Sequence, residues 1–216
     1  MKHLKILGLA VVAAAALMAF VGASTASATV LCKEGKGEVC PAGQAYGELP
    51  SEKNPEGKGV TVEAKLVANT KAKLVTSFKT IECEESAVKG ETSTEEAEPL
   101  TGPEGSLSFG KCNCTVNVLK AGTLSTTWIS GTNNGTLSSN KNETTVVCNS
   151  IFGSVHCIYA TEKTDVGKLT GGTTAVLKAE ATIPRLATDA LCSEKSEWSA
   201  EYEVTAPKPL FVSKKT

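Results

Sequence analysis

The sequence predicts an all-β protein: an antiparallel β-sandwich or jelly-roll-like domain, stabilised by disulfides and preceded by a signal peptide. Several segments alternate apolar and polar residues with a period of two, as half-buried strands do. Beyond the first residues, no stretch has a convincing helical period. The eight cysteines form an even set, which is typical of a disulfide framework in an exported chain. These features favour packed antiparallel sheets.

The start of the chain has the features of a cleavable export signal. A basic beginning is followed by an almost unbroken apolar run over residues 6–22. Ala26 and Ala28 then supply the small residues of a cleavage site before Thr29. A retained membrane anchor is the alternative, but the run is short for a span of about 20 residues. We therefore expect residues 1–28 to be removed and the protein to be secreted or associated with the cell wall.

Cleavage would leave a weakly acidic domain. The chain carries 22 basic and 23 acidic residues, and the loss of Lys2 and Lys5 with the leader changes the net charge from −1 to −3. Such a surface has no electrostatic footprint for nucleic acid or for an anionic membrane. Arg185 is the only arginine, so the usual bidentate reader of phosphates is nearly absent. We expect no nucleic-acid partner and, after cleavage, no membrane partner.

The mature chain is expected to begin with loops and continue as a sandwich. Residues 29–59 are rich in Gly, Pro, Lys and Glu, which predicts a loop-rich, disulfide-stapled segment packed as a single domain with a β-sandwich at 60–216. Alternation is clean over residues 60–66 and less regular over 73–83. Residues 84–104 carry seven glutamates without regular apolar spacing, which predicts a solvated loop.

The second half of the chain predicts further strands. Short alternating patterns recur over residues 107–109 and 114–118. The Asn134-Gly135 pair lies between two strand-like runs, and this dipeptide is a strong hairpin signal. Each of these strands is expected to be short and rich in Ser and Thr.

The last third of the chain has the clearest alternation. One apolar face runs over residues 175–183, and Pro184 is expected to end that strand. Another apolar face runs over 198–206. Trp198 and Tyr202 lie on the apolar phase of this second strand, so core packing is their expected role.

Eight cysteines follow the predicted cleavage site. Because the chain is expected to be exported, they are predicted to form disulfides and not a metal site. Cys112 and Cys114 are two positions apart, so on one strand they would share a face and need different partners. The set is Cys32, Cys40, Cys83, Cys112, Cys114, Cys148, Cys157 and Cys192.

Local spacing favours two of the disulfide pairs. Cys32 and Cys40 bracket a Gly- and Lys-rich loop, and Cys148 and Cys157 lie on two apparent neighbouring strands. We predict a bridge within each pair. The partners of the other four cysteines stay open, because eight cysteines allow 105 complete pairings.

The sequence predicts no catalytic, cofactor-binding or metal-binding residue. His156 is the only histidine after the leader, and alternation places it on the solvent face of a strand. No Cys-x-x-Cys spacing occurs. Paired carboxylates at Glu84-Glu85 and Glu95-Glu96 leave a secreted carboxylate-dependent glycoside hydrolase as an alternative.

Exposed aromatic residues are a second kind of candidate functional site. Trp128 and Tyr46 are flanked by polar residues, so they are the candidates for a platform that binds a ligand such as a sugar. A carbohydrate-binding module is therefore a further alternative.

The carboxyl half of the chain has a recognisable series of segments, which begins at Cys148 and continues over residues 155–159, 166–172, 191–207 and 209–212. In these segments it resembles an uncharacterised group of exported, cysteine-containing β-rich proteins of actinobacteria. Similar proteins also carry a signal peptide and an early cysteine pair. The resemblance implies secretion and a shared β-fold, and it implies no functional residue.

We therefore expect a secreted or cell-envelope β-module that is not an enzyme and has a structural or ligand-binding role. Its expected partners are a cell-envelope polysaccharide or another envelope protein. The sequence does not identify the ligand.

Overall fold

The computed structural model describes residues 29–46, 60–91, 100–101, 107–151, 153–188 and 191–214. The predicted signal peptide lies outside them, as does much of the predicted acidic loop. The described chain is all-β and sandwich-like, as predicted, without a helix. Its strands are β1 Thr29–Cys32, β2 Thr61–Leu66, β3 Ala72–Val75, β4 Thr80–Glu91, β5 Leu100–Thr101, β6 Leu107–Cys112, β7 Thr115–Lys120, β8 Thr123–Trp128, β9 Gly135–Asn140, β10 Glu143–Ser150, β11 Gly153–Ala160, β12 Thr164–Thr170, β13 Val176–Thr188, β14 Lys195–Ala206 and β15 Phe211–Lys214.

Three long strands organise the main sheet. β4, β13 and β14 contain 12, 13 and 12 residues, and all their pairings are antiparallel. β14 pairs with β13 along one edge and with β3 and then β2 along the other. β4 pairs with β3 and β2 along one edge and with β6 and β5 along the other. The shorter strands therefore fall into two groups, stacked along the long strands, and we call these groups the two levels of the sheet. Both levels include the long strands.

The first level closes on itself. Its pairings run from β4 through β5, β8, β9, β12, β13, β14 and β2, and β2 pairs with β4 again. The second level runs from β6 through β4, β3, β14, β13, β11 and β10 to β7. In the described residues no ladder joins β6 to β7. We call this gap the seam.

Three pairs of consecutive strands bend where they cross between the levels, and we call this band the waist. The bends lie between β7 and β8, between β9 and β10, and between β11 and β12. Gly122, Lys141 and Lys163 have φ angles of 67°, 57° and 50° at these bends. The Lys141 N–H donates to the Thr161 carbonyl at 2.8 Å, and the Thr161 N–H donates to the Asn142 carbonyl at 3.0 Å. The waist is therefore held by backbone hydrogen bonds across neighbouring bends.

The N-terminal segment begins with a strand, which the prediction of a loop-rich segment missed. β1 pairs with β15 in a separate two-stranded sheet, from Thr29 opposite Lys214 to Cys32 opposite Phe211. Leu31 is buried in the largest core cluster. β1 was hard to recognise because all four of its side chains are buried, so it has no polar and apolar alternation.

Four disulfides connect the described cysteines, and none of these cysteines is free. The predicted Cys32–Cys40 bridge is present. Cys112 and Cys114 have different partners, as expected, although they lie at the end of β6 and in the bend before β7. Their bridges flank the seam on its two sides. The four bridges are Cys32–Cys40, Cys83–Cys112, Cys114–Cys148 and Cys157–Cys192.

The predicted Cys148–Cys157 bridge is wrong. β10 and β11 are indeed neighbours, but their register places Cys148 opposite Val155 and Cys157 opposite Val146. The two cysteines are therefore diagonal neighbours, about 7–8 Å apart between Cα atoms, whereas disulfides need about 4.4–6.8 Å. Strand adjacency could be predicted from the sequence, but the register could not.

The predicted acidic loop is also wrong in its first part, because residues 84–91 belong to β4. Ile81 and Cys83 are buried on the inner face, whereas Ser86 and Gly90 are buried further along the strand. Successive glutamates at 84 and 85 are both exposed between these sets. The inward-facing side chains are thus at odd positions before residue 84 and at even positions after residue 85. This change interrupts the alternation of polar and apolar residues. The irregular pattern over 73–83 covers parts of two strands, β3 and β4.

The expectation that Pro184 ends its strand is wrong, because β13 continues to Thr188. The Arg185 N–H donates to the Glu194 carbonyl on the β14 side at 2.9 Å. The nitrogen of Pro184 therefore faces the other edge of β13. On that edge the β12 pairs end at Ala179 and the β11 pairs begin at Arg185. The proline thus lies between two ladders, where no N–H donor is needed.

The waist generates a stability prediction at Gly122. A Cβ atom there would collide with the Asn140 carbonyl oxygen and would lie 2.5 Å from the Asn142 nitrogen. We expect Gly122→Ala to lower the free energy of unfolding by about 1–3 kcal/mol or more. Urea denaturation would measure the change. Gly131→Ala is the matched control, because its φ of 76° is similar and its Cβ would meet only Glu38 Oε1, at 3.9 Å. Equal losses in the two variants would contradict the close approach at the waist.

Candidate ligand-binding cavity

An apolar cavity with a volume of about 170 Å³ lies inside the main sheet. Its walls include Leu177 and Val204 from the largest core cluster and Leu74, Ile81 and Val146 from the second cluster. The cavity therefore extends between the cores of the two levels. An apolar cavity of about 150 Å³ is large enough to hold benzene.

Small inward-facing side chains leave this space open. Ala64 on β2, Ala72 on β3 and Ala179 on β13 all line the cavity, and each is buried. Ala179 also pairs directly with Ala200 on β14. Strand cores usually carry larger β-branched or aromatic residues, so this run of alanines on adjoining strands accounts for unfilled volume.

Part of the cavity wall at the waist is polar. Asn142 donates from Nδ2 to the Ala121 carbonyl at 3.0 Å and accepts at Oδ1 from the Thr144 hydroxyl at 3.1 Å. The Asn142 N–H donates to the Thr161 hydroxyl oxygen at 3.2 Å. The hydroxyls of Thr161 and Ser139 lie 2.9 Å apart, within hydrogen-bond distance. These four side chains, the polar wall, are thus bonded to one another or to backbone.

The core contains a second polar contact, between Ser86 and Tyr202. The Ser86 hydroxyl donates to the Ser108 carbonyl at 2.9 Å, so the Tyr202 hydroxyl is the donor in its 2.9 Å bond to Ser86 Oγ. Tyr202 lines the cavity and is only 2% exposed. Burial raises the pKa of Tyr202 to about 12, and the bond to Ser86 opposes this rise. Its hydroxyl is therefore neutral and committed to a protein partner.

The cavity reaches the seam. Leu107 lines it from β6, and Val116 lines it from β7. Among the described residues that line the cavity, Lys89 is the only charged one. Its Nζ lies 2.8 Å from Glu63 Oε1, and this hydrogen bond and the glutamate charge raise the pKa of Lys89. The interior therefore offers no unpaired charge to a ligand and suits an uncharged molecule.

The two aromatic residues of the predicted platform lie outside the cavity. Trp128 and Tyr46 are both half-buried and pack against the largest core cluster. The Trp128 Nε1–H donates to the Thr132 carbonyl at 2.7 Å, and the Tyr46 hydroxyl donates to the Pro209 carbonyl at 2.6 Å. Neither lines the cavity. Their rings and polar atoms are thus engaged within the protein.

The residues considered for catalysis are dispersed. His156 is exposed on β11, as predicted. Glu84 and Glu85 are exposed on β4, and the Glu95-Glu96 pair lies outside the described residues. No carboxylate is found among the described residues that line the cavity. In the same part of the chain, no group of three or more His, Cys, Asp and Glu side chains is arranged to hold a metal ion.

Within the described ranges, no helix has the length and apolar character needed to cross a membrane. Comparison with known protein families finds no match to this chain, and searches of characterised proteins and of solved structures also find none.

The burial of Tyr202 generates a prediction about pH. Between pH 10 and 12 the unfolded chain releases the tyrosine proton while the folded chain retains it, so stability falls as pH rises. For a pKa change from 10.0 to about 12, the loss is about 2–3 kcal/mol by pH 12. We expect urea unfolding at pH 8 to 11.5 to show a steeper loss for the native protein than for Tyr202→Phe. Parallel curves for the two proteins would contradict the assignment.

Proposed function

We propose that the protein is an exported, non-enzymatic binding module that takes a small, mostly apolar molecule into its interior cavity. The cavity of about 170 Å³ carries this proposal. The favourable free energy of binding would come from the removal of apolar ligand surface from water, at about 25 cal/mol per Å². The alanines on β2, β3 and β13 provide the space.

Export is part of the same proposal. The four disulfides among the described residues support an oxidising, extracellular environment. The apolar run and small-residue site at the start of the sequence support it independently. The expected relation to exported actinobacterial proteins and the expected location in the cell envelope belong to this proposal.

A polysaccharide or protein partner in the envelope is the weaker alternative. It would use Trp128 and Tyr46 as a platform, but both rings pack against the core cluster. A carboxylate-dependent hydrolase needs two acidic groups across a cleft, whereas the described cavity wall has none. A cavity ligand fits more of the observed geometry than either alternative.

Toluene is a suitable first probe, because its size and apolar character match the cavity. At a toluene concentration about 100 times the Kd, binding should raise the melting temperature of the oxidised mature protein by about 5–10 °C. Isothermal titration should show one site per chain. Absence of a rise and of binding heat would refute the proposal.

Matched variants test whether toluene binds in the cavity. Ala64→Leu and Ala179→Leu each fill part of the cavity and should abolish the toluene-dependent rise. Ala68→Leu is the control, because Ala68 is exposed in the turn after β2 and does not line the cavity. Circular dichroism establishes that each variant is folded. An undiminished rise in both folded cavity variants would show that toluene binds elsewhere.

A further inference from the structure

β6 and β7 are consecutive strands that do not pair with each other. Only Asn113 and Cys114 separate them, and strands joined by so short a link usually form a hairpin. Among the described pairings, however, β6 pairs only with β4 and β7 only with β10. The seam therefore interrupts the second level where a ladder would be expected.

The link between the two strands is attached to their outer neighbours. The Asn113 N–H donates to the Glu82 carbonyl at 3.0 Å, and its Nδ2 donates to the Thr80 carbonyl at 3.0 Å. Its Oδ1 accepts from the Glu82 N–H at 3.0 Å, so the link is bonded to β4. Cys114 is joined instead to Cys148 on β10 by a disulfide. Each side of the seam is thus held by a different neighbour, and the seam is a built feature of the fold.

The burial of the cavity wall differs between the seam and the strands farthest from it. β13 lies in the middle of the second-level series, and its lining residues Ala179 and Ile183 are buried. Leu107 and Phe109 on β6 and Val116 on β7 also line the cavity, but all three are half-buried. The cavity itself is not fully enclosed. Its wall is therefore more accessible at the seam than across from it.

The seam strands carry neutral polar groups and paired charges. Each strand contains one charged residue, Lys111 on β6 and Lys120 on β7. Lys111 is paired with Glu85, and Lys120 is paired with Glu143. Asn117 adds an exposed amide on β7. A polar group placed at the seam would meet no unmatched charge on these two strands, which suits an uncharged head group.

We infer that the cavity opens at the seam and that its ligand is an amphiphile, with an apolar chain inside and an uncharged polar head in water between β6 and β7. This inference rests on the proposed function and names its class of ligand. The chain would have about six carbons, since a cavity of about 150 Å³ holds benzene. It gains free energy as its methylenes leave water, and the head keeps its hydration because it stays outside. A closed cavity of the same volume would exclude the head.

The test compares 1-hexanol with hexyl β-glucoside, which share one chain and differ in the size of the head. Isothermal titration of the oxidised mature protein, below the micelle concentration of the glucoside, gives the Kd of each. The two values should lie within about fivefold of each other, because the same chain is buried. Butyl β-glucoside should bind about 10- to 20-fold more weakly than the hexyl compound, because two fewer methylenes leave water.

Tryptophan variants test the position of the opening. Val116→Trp places a large ring on the cavity side of β7 and should weaken binding of hexyl β-glucoside about tenfold or more. Leu107→Trp makes the same test from β6. Asn117→Trp is the matched control, because Asn117 is the next residue along β7 and is exposed, and it should bind as the native protein does. Circular dichroism establishes that each variant is folded.

The outcomes separate this inference from the proposed function. If neither toluene nor 1-hexanol binds, the proposed function fails and the inference fails with it. If toluene binds and hexyl β-glucoside does not, the cavity is closed and only the inference is overturned. Equal affinities for the butyl and hexyl glucosides would also overturn it, because the chain would not be buried. Native affinity in both folded cavity-side variants, or an equal loss in Asn117→Trp, would show that the head does not lie at the seam.

Discussion

Closure of the first-level ladder is the constraint on which the rest of the structure depends. A chain of short strands leaves unpaired backbone groups at each sheet edge, and closure removes those edges. Here β14 pairs with β13 on one edge and with β2 and β3 on the other, so the ladder returns to β4. The long strands extend this closure into the second level. At the seam the second-level ladder stays open in the described residues, and the disulfides Cys83–Cys112 and Cys114–Cys148 hold the strands on its two sides.

Closure also produces the cavity, because a closed sheet fixes the distance between its walls. Inward side chains must fill that distance or leave a void. With alanine at 64, 72 and 179, the walls do not meet, and about 170 Å³ remains. From the cost of cavities left by core truncations, such a void is unfavourable by roughly 4 kcal/mol. Each disulfide contributes about 2–4 kcal/mol, largely by restricting the unfolded chain. The covalent framework can therefore sustain an incompletely filled core.

Much of the strand content could be predicted from the sequence, but the closure and the cavity could not. Alternation identified the strands at 60–66, 175–183 and 198–206, because each presents one polar and one apolar face. It failed at β1, which is buried on all sides, and at β4, where the inward phase changes at Glu84 and Glu85. Register is a relation between strands, so the partner of Cys148 was not visible in its local spacing. One signal for the cavity was available: the apolar faces of several predicted strands are rich in alanine, which is depleted in strands.

Tyr159 shows why hydrogen bonding inside the core could not be predicted from the sequence pattern. In the sequence it is an aromatic residue on the apolar phase of a strand, and core packing is the natural interpretation. The fold gives it that position and yet leaves its hydroxyl without a partner. Tyr202 occupies an equally buried position, but its hydroxyl is bonded to Ser86. Burial in this core therefore does not by itself prevent a tyrosine hydroxyl from forming a hydrogen bond. The chain satisfies the hydroxyl of one buried tyrosine and encloses the other without a partner. Which polar groups meet depends on how the strands pack across the core, and the period of an alternating strand carries no record of it.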